Sequence, residues 1–182
     1  MSRIFLSHSH SNNAEAVAMR DWLNGQGWND VFLDLDPERG LKAGQRWQEQ
    51  LKLAAEKCEL VIFLISPAWR ASEWCVAEFL LAKQMNKKIA GAIVEPIPIE
   101  QLPAEMTTEW QLVDLTLGCR DHERLVRVPG VASEQRVCFD AEGLERLRIG
   151  LAEAGLDPRF FEWPPLNDQE RSPFRGLKPL DA

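Results

Sequence analysis

The residues whose types and spacing can carry chemistry crowd into one stretch, Ser66-Pro67-Ala68-Trp69-Arg70-Ala71-Ser72-Glu73-Trp74-Cys75-Val76-Ala77-Glu78-Phe79. Ser72 is a natural N-cap, because a serine hydroxyl accepts from the orphan N–H groups of a helix's first turn. A helix starting there carries Trp74 and Glu78 one turn apart on the same face. A carboxylate beside an indole in a partly apolar cleft can stabilise a cationic centre. The same spacing also suits a solvated or ion-paired glutamate on an amphipathic helix, and spacing alone leaves both readings open.

Other polar groups sit where short apolar runs end: Ser7-His8-Ser9-His10, Asp34-Leu35-Asp36, Ser66-Pro67 and Glu95-Pro96. Asp34 and Asp36 form either an acidic pair or the acids of a turn before Pro37. Several standard chemistries are absent. There is no GxGxxG fingerprint after the first apolar run and no GxxxxGK[ST] phosphate loop. There is no GxSxG nucleophile elbow either. The four cysteines (Cys58, Cys75, Cys119, Cys138) contain no CxxC pair, and the three histidines lack metal-ligand spacing. They are expected to be reduced intracellular thiols, with no metal site and no bound cofactor.

The elements that must position these groups recur with a period near 30 residues, the length of a βαβ unit. Strand-like runs fall at Ile4–Leu6, Val31–Leu35, Leu60–Ile65 and Ile89–Val94, with a weaker fifth at Leu112–Leu115. Helical spacing lies between them: Ala16, Met19, Trp22 and Leu23; then Trp47, Leu51, Ala54 and Ala55; then Cys75, Phe79 and Ala82. Leu144, Leu147 and Leu151 mark a last helix after Asp140, a candidate N-cap. Alternating strands and helices predict an α/β domain with a mainly parallel five-stranded sheet and helices on both faces. The unbroken run Leu60-Val61-Ile62-Phe63-Leu64-Ile65 suits a central strand buried on both sides. Within 119–139, Leu125–Val128 and Val137–Phe139 flank Pro129-Gly130 and predict a hairpin. In such a sheet, ligands bind beyond the carboxyl ends of the strands, where strand order reverses.

At 182 residues the chain has the length of one domain plus a tail. Twenty-one Lys and Arg against 28 Asp and Glu give a net charge of −7, which argues against sequence-independent nucleic-acid binding. The longest apolar run, Leu60 to Ile65, is far short of the roughly 20 residues that cross a bilayer. Residues 1–10 lack a secretory n-region and h-region, so a cytoplasmic location without membrane contact is expected. Pro158, Pro164, Pro165, Pro173 and Pro179 fall in a closing stretch with no helical or strand period. The expected division is a domain over 1–155 and a Pro-rich linker over 156–182.

Five segments together resemble a Toll/interleukin-1 receptor (TIR) domain of the bacterial type. Arg3-Ile4-Phe5-Leu6-Ser7-His8 resembles the family's opening strand, and Val31-Phe32-Leu33-Asp34 its second. Pro37 through Trp47, with Gly40-Leu41-Lys42-Ala43-Gly44, resembles its long BB loop. Leu60 to Pro67 resembles the third strand and its Ser-Pro turn. Ser72 with Trp74-Cys75-Val76-Ala77-Glu78 resembles the family's S.WC..E. The resemblance covers about residues 3–155 and implies the flavodoxin-like TIR fold.

It also implies an activity. Many TIR domains of this type cleave NAD+ at the nicotinamide–ribose bond, and the essential glutamate of WC..E corresponds to Glu78. Ser7, His8, Asp34, Trp47 and Trp74 would line the substrate site, with NAD+ as substrate rather than cofactor. Contacts between TIR domains, including the 36–46 loop, would activate it as an effector in bacterial antiphage defence. A non-catalytic TIR interaction module is the alternative. Ser172-Pro173-Phe174-Arg175-Gly176-Leu177 is similar to a motif that precedes the ATPase module of bacterial STAND-class signalling proteins, which implies a downstream ATPase or sensor domain.

Overall fold

A computed structural model describes residues 3–33, 35, 58–108, 111–118 and 122–156, apart from the side chains of residues 74, 105 and 108. The 36–46 loop, the helix expected around Trp47 and the 157–182 segment lie outside the described residues. In chain order the elements are β1 (Ile4–Ser7), α1 (Asn13–Gly25), β2 (Val31–Leu33), β3 (Leu60–Ile65), α2 (Pro67–Ala71) and α3 (Glu73–Gln84). They continue with β4 (Lys88–Ile93), α4 (Ala104–Thr108), β5 (Gln111–Asp114), β6 (His122–Val126), β7 (Gln135–Phe139) and α5 (Ala141–Glu153).

The first five strands form one parallel sheet in the order β2-β1-β3-β4-β5. That order is the flavodoxin-like one, with its reversal between β1 and β3. Residue chemistry explains the middle of the sheet. Every residue of β3 is buried, and Leu60 to Ile65 offers apolar side chains to both faces. On one face Ile4, Leu6, Ile62, Leu64 and Ala92 pack with Met19 and Leu23 of α1 and Leu147 and Leu151 of α5. On the other, Phe5, Val61, Phe63 and Ile65 pack with Trp69 of α2, Cys75 and Phe79 of α3 and Met106 of α4. Gly91 in β4 makes room for this second layer: a Cβ there would lie 2.8 Å from Leu112 Cδ1 and 3.0 Å from Ile65 Cδ1.

The expected hairpin forms, but β6 ends at Val126 and β7 begins only at Gln135, so neither strand reaches the predicted Pro129-Gly130 turn. Val131 N–H bonds Val128 C=O across Pro129, which takes Val128 out of the ladder. β6 and β7 add Val126, Val137 and Phe139 to the α1 side of the core. Asp140 caps α5, its side chain accepting from Gly143 N–H at 2.7 Å. α5 closes with Gly155 at φ +78°. There Gly155 N–H bonds Ala152 C=O at 2.8 Å and Leu156 N–H bonds Leu151 C=O at 3.0 Å, the paired closure that a left-handed residue after a helix permits. Leu156 is fully buried, and its carbonyl accepts from Trp28 Nε1 at 2.9 Å, so the packing runs through Leu156.

Candidate functional site

Parallel strands end together, so the sheet delivers Ser7 (β1), Ser66 (after β3) and Glu95 (after β4) to one edge. Ser7 and Ser66 flank the strand-order reversal and are both buried. The chain then uses two serines in succession as helix caps. Ser66 Oγ accepts from Trp69 N–H at 3.0 Å to start α2, with Pro67 at the first helical position, where no N–H is needed. Ser72 Oγ accepts from Cys75 N–H at 3.3 Å to start α3, as its residue type predicts. These two caps fix where α3 begins, and so which of its residues face the sheet edge.

Glu78 faces that edge, half-buried, and its Oε2 accepts a hydrogen bond from the Ser7 hydroxyl. Trp69 Nε1 donates to the same Ser7 oxygen at 3.4 Å. Cys75, one turn before Glu78, donates from its thiol to the His8 carbonyl at 3.6 Å. Burial pushes the Cys75 thiol up to about 12, and the Glu78 charge adds to the effect. It is therefore a protonated packing group and not a nucleophile.

A second polar layer lies beside the first. Ser66 Oγ donates to Asn12 Oδ1 at 2.6 Å, and Asn12 Nδ2 donates to Glu95 Oε1. Asn12 is fully buried, so both ends of its amide need such partners. Glu15, in the first turn of α1, stands over the same amide. Burial holds its carboxyl above the usual carboxylate range, with the charge of Glu95 adding to the shift. Its Oε2 is buried without a hydrogen-bond partner among the described residues.

Of the residues singled out by sequence, the structure joins Ser7 directly to Glu78. His8 is half-buried next to them, its Nε2 at 2.9 Å from Asn13 Oδ1. Asp34, Trp47 and the Trp74 side chain lie outside the described residues. Sequence reasoning missed Trp69, Asn12 and Glu15. Trp69 had a signal in its position three residues after the capping Ser66, while Asn12 had none, since its partners come from loops 54 and 83 positions away. No group of three or more His, Cys, Asp or Glu among the described residues is placed to hold a metal ion. No helix among them is long and apolar enough to cross a membrane.

Two solved structures are similar to this chain. One is the TIR domain of the Toll-related receptor TRR-2 from Hydra magnipapillata, at 16% identity and TM-score 0.49, covering 63% of this chain and 84% of that one. The other holds the TIR domains of the activated Roq1 resistosome that recognises the pathogen effector XopQ, at 19% identity and TM-score 0.42, covering 59% and 67%. No curated protein matches the sequence. The profile of the TIR domain family matches residues 4–127, which span β1 to the end of β6 and include Ser7, Ser66 and Glu78. By that match the chain belongs to the TIR domain family.

Proposed function

We propose that this TIR domain is an NAD+ glycohydrolase that uses Glu78 to cleave the nicotinamide–ribose bond, giving nicotinamide and ADP-ribose or a cyclic variant. The observation that carries the reading is the Ser7–Glu78 hydrogen bond at the carboxyl edge of the sheet, beside the strand-order reversal. That position, beyond the carboxyl ends of the strands, is where ligands of this fold class bind.

One carboxylate suffices for this reaction. Nicotinamide departs from a pyridinium as a neutral molecule, so no acid has to protonate the leaving group. Ordinary glycosidases need a second carboxyl group for that step. What remains is the positive charge growing on the ribose, which a fixed carboxylate stabilises by its charge and by accepting from ribose hydroxyls. Water, or a nucleophile within the dinucleotide, then takes the position of nicotinamide on the ribose carbon. His8, Asp34, Trp47 and Trp74 line the substrate site in this reading. NAD+ is a substrate, and the reaction calls for no metal or further cofactor.

In the same reading the 36–46 loop joins neighbouring TIR domains and activates them by self-association, in a cytoplasmic effector of bacterial antiphage defence. Residues 1–155 act as the effector domain, and 156–182 connect it to a downstream ATPase or sensor. The test is direct: incubate the protein with NAD+ and follow free nicotinamide and ADP-ribose by chromatography. Nicotinamide release that scales with enzyme supports the reading. NAD+ left intact at every protein concentration overturns it and favours a non-catalytic interaction module.

A further inference from the structure

A glutamate on a helix has three rotatable side-chain bonds, and helix geometry alone does not aim its carboxylate. At Glu78 the aiming group comes from another element. Ser7 is the last residue of β1, only 1% exposed, and its hydroxyl has a single proton, which goes to Glu78 Oε2. A serine hydroxyl can turn that proton elsewhere unless something occupies its lone pairs. Trp69 Nε1–H, a group that can only donate, sits on the same oxygen at 3.4 Å. With the indole on one side of Oγ, the proton is directed to the carboxylate.

Trp69 is itself held rigidly. It is fully buried, its ring meets Phe63 edge-on at 5.6 Å, and its backbone N–H lies on Ser66 Oγ at 3.0 Å. The Ser66 proton is in turn committed to Asn12 Oδ1 at 2.6 Å. The orientation of the Asn12 amide follows from charge, since its Nδ2 faces the Glu95 carboxylate and a flipped amide would set oxygen against oxygen. A polar chain therefore runs Glu95, Asn12, Ser66, Trp69, Ser7, Glu78, with Trp69 donating from its backbone and indole N–H groups and the protons pointing outward from it to the two carboxylates. Within each arm the successive hydrogen bonds polarise one another in a low-dielectric setting.

We propose that Ser7 and Trp69 are positioning residues for Glu78, the Trp69 indole orienting the Ser7 hydroxyl so that it holds the carboxylate in one direction. The inference rests on the glycohydrolase reading for its consequence in catalysis, but the positioning itself is independent of turnover. It differs from a role for Ser7 in binding substrate, and from a purely packing role for Trp69.

The experiment compares the folded wild-type protein with Ser7→Ala, Ser7→Thr and Trp69→Phe. Two readouts are taken: the titration midpoint of the Glu78 side-chain carboxyl by carbon-13 NMR, and the pH dependence of kcat and KM for nicotinamide release. Hydrogen bonds to the ionised form favour that form, so Ser7→Ala is expected to raise the Glu78 midpoint by about one to two pH units. It should lower kcat by about tenfold or more through lost aim, with the acid limb of the kcat profile following the midpoint. Ser7→Thr restores both, and Trp69→Phe moves both in the same direction by less. A Glu78 midpoint unmoved in Ser7→Ala overturns the proposal, as does a rise in KM with kcat unchanged. If Trp69→Phe fails to fold, the Ser7 pair decides alone. If the wild-type protein releases no nicotinamide, the glycohydrolase reading falls, and the midpoint shift still decides the positioning.

Discussion

Ser7 and Glu78 stand 71 positions apart in the chain and share one hydrogen bond at the edge of the sheet. The pairing needs β1 and β3 side by side, α3 started by Ser72, and a buried serine as the last residue of a strand. The Ser72 cap and the serine at the strand end are local properties of the sequence, and the parallel pairing of β1 with β3 brings them together.

Glu15 makes stability depend on pH in a defined direction. Its folded-state pKa is raised, first by burial, so the folded form favours the protonated carboxyl. Its contribution is therefore fully present below the usual carboxylate pKa and is lost as pH rises through the higher folded value. Glu15→Gln removes the charge and keeps an oxygen for the Asn12 amide. The variant should melt higher than wild type at pH 7, and the difference should vanish toward pH 4. Equal melting temperatures at both pH values would refute this.

Asn12, fully buried at the end of a short 3-10 turn over His10–Asn12, should matter for stability. Asn12→Ala leaves the buried Ser66 hydroxyl without its acceptor and Glu95 without its donor. The fully buried Ser66 hydroxyl left without its acceptor costs about 1–3 kcal/mol, so chemical denaturation should show a loss in that range. A loss under about 0.5 kcal/mol, the usual size for an unremarkable surface site, would mean that water replaces the amide at no cost.

Cys75 should be inert despite its place next to Glu78. With the thiol pushed up to about 12, almost none is thiolate at pH 8. Iodoacetamide at that pH should leave Cys75 unlabelled in the folded protein, as read by peptide mass spectrometry, and nicotinamide release unchanged. Activity lost in step with Cys75 labelling would contradict its assignment as a packing group.

The fold was largely legible because its signals are local. The continuous apolar run of β3, the Ser72 and Asp140 caps and the α1 face of Ala16, Met19, Trp22 and Leu23 are all periodicity or capping chemistry, and each forms where expected. The hairpin was placed less well, because Pro129-Gly130 marks a turn without stating how many residues the loop around it takes. Glu78 was legible through the family's S.WC..E motif and Ser7 as one of the residues lining the site, but not as its hydrogen-bond partner. Trp69 was not, because an indole three residues past a cap reads equally as core, and its N–H contact to Ser7 depends on the crossing of β1 and α2. Asn12 and Glu15 were hidden for the same reason: Ser66 and Glu95, which bond Asn12 and the second of which adds to the Glu15 shift, lie across the sheet edge and not along the chain.

Self-association should show in the kinetics. Residues 36–46 carry Asp36, Glu38, Arg39, Lys42 and Arg46, charges suited to contacts that salt weakens. If neighbouring TIR domains complete the site, nicotinamide release should rise faster than in proportion to protein concentration, and added salt should flatten the rise. Strict proportionality over about a hundredfold range, in protein that is active and monomeric throughout by light scattering, would count against activation by assembly.

The most direct measurement is the rate of nicotinamide release by wild-type protein and by Glu78→Gln at equal concentration, with circular dichroism and melting temperature confirming that both are folded. The substitution keeps the side-chain volume and can still accept from Ser7, but it removes the charge facing the ribose. Losing one preorganised electrostatic group of this kind lowers turnover by about 10²–10³, and the account predicts a fall of that size with little change in melting temperature. A folded Glu78→Gln protein that keeps more than about half of the wild-type rate would contradict it, since a loss far below that expected for such a group would take the carboxylate out of the reaction.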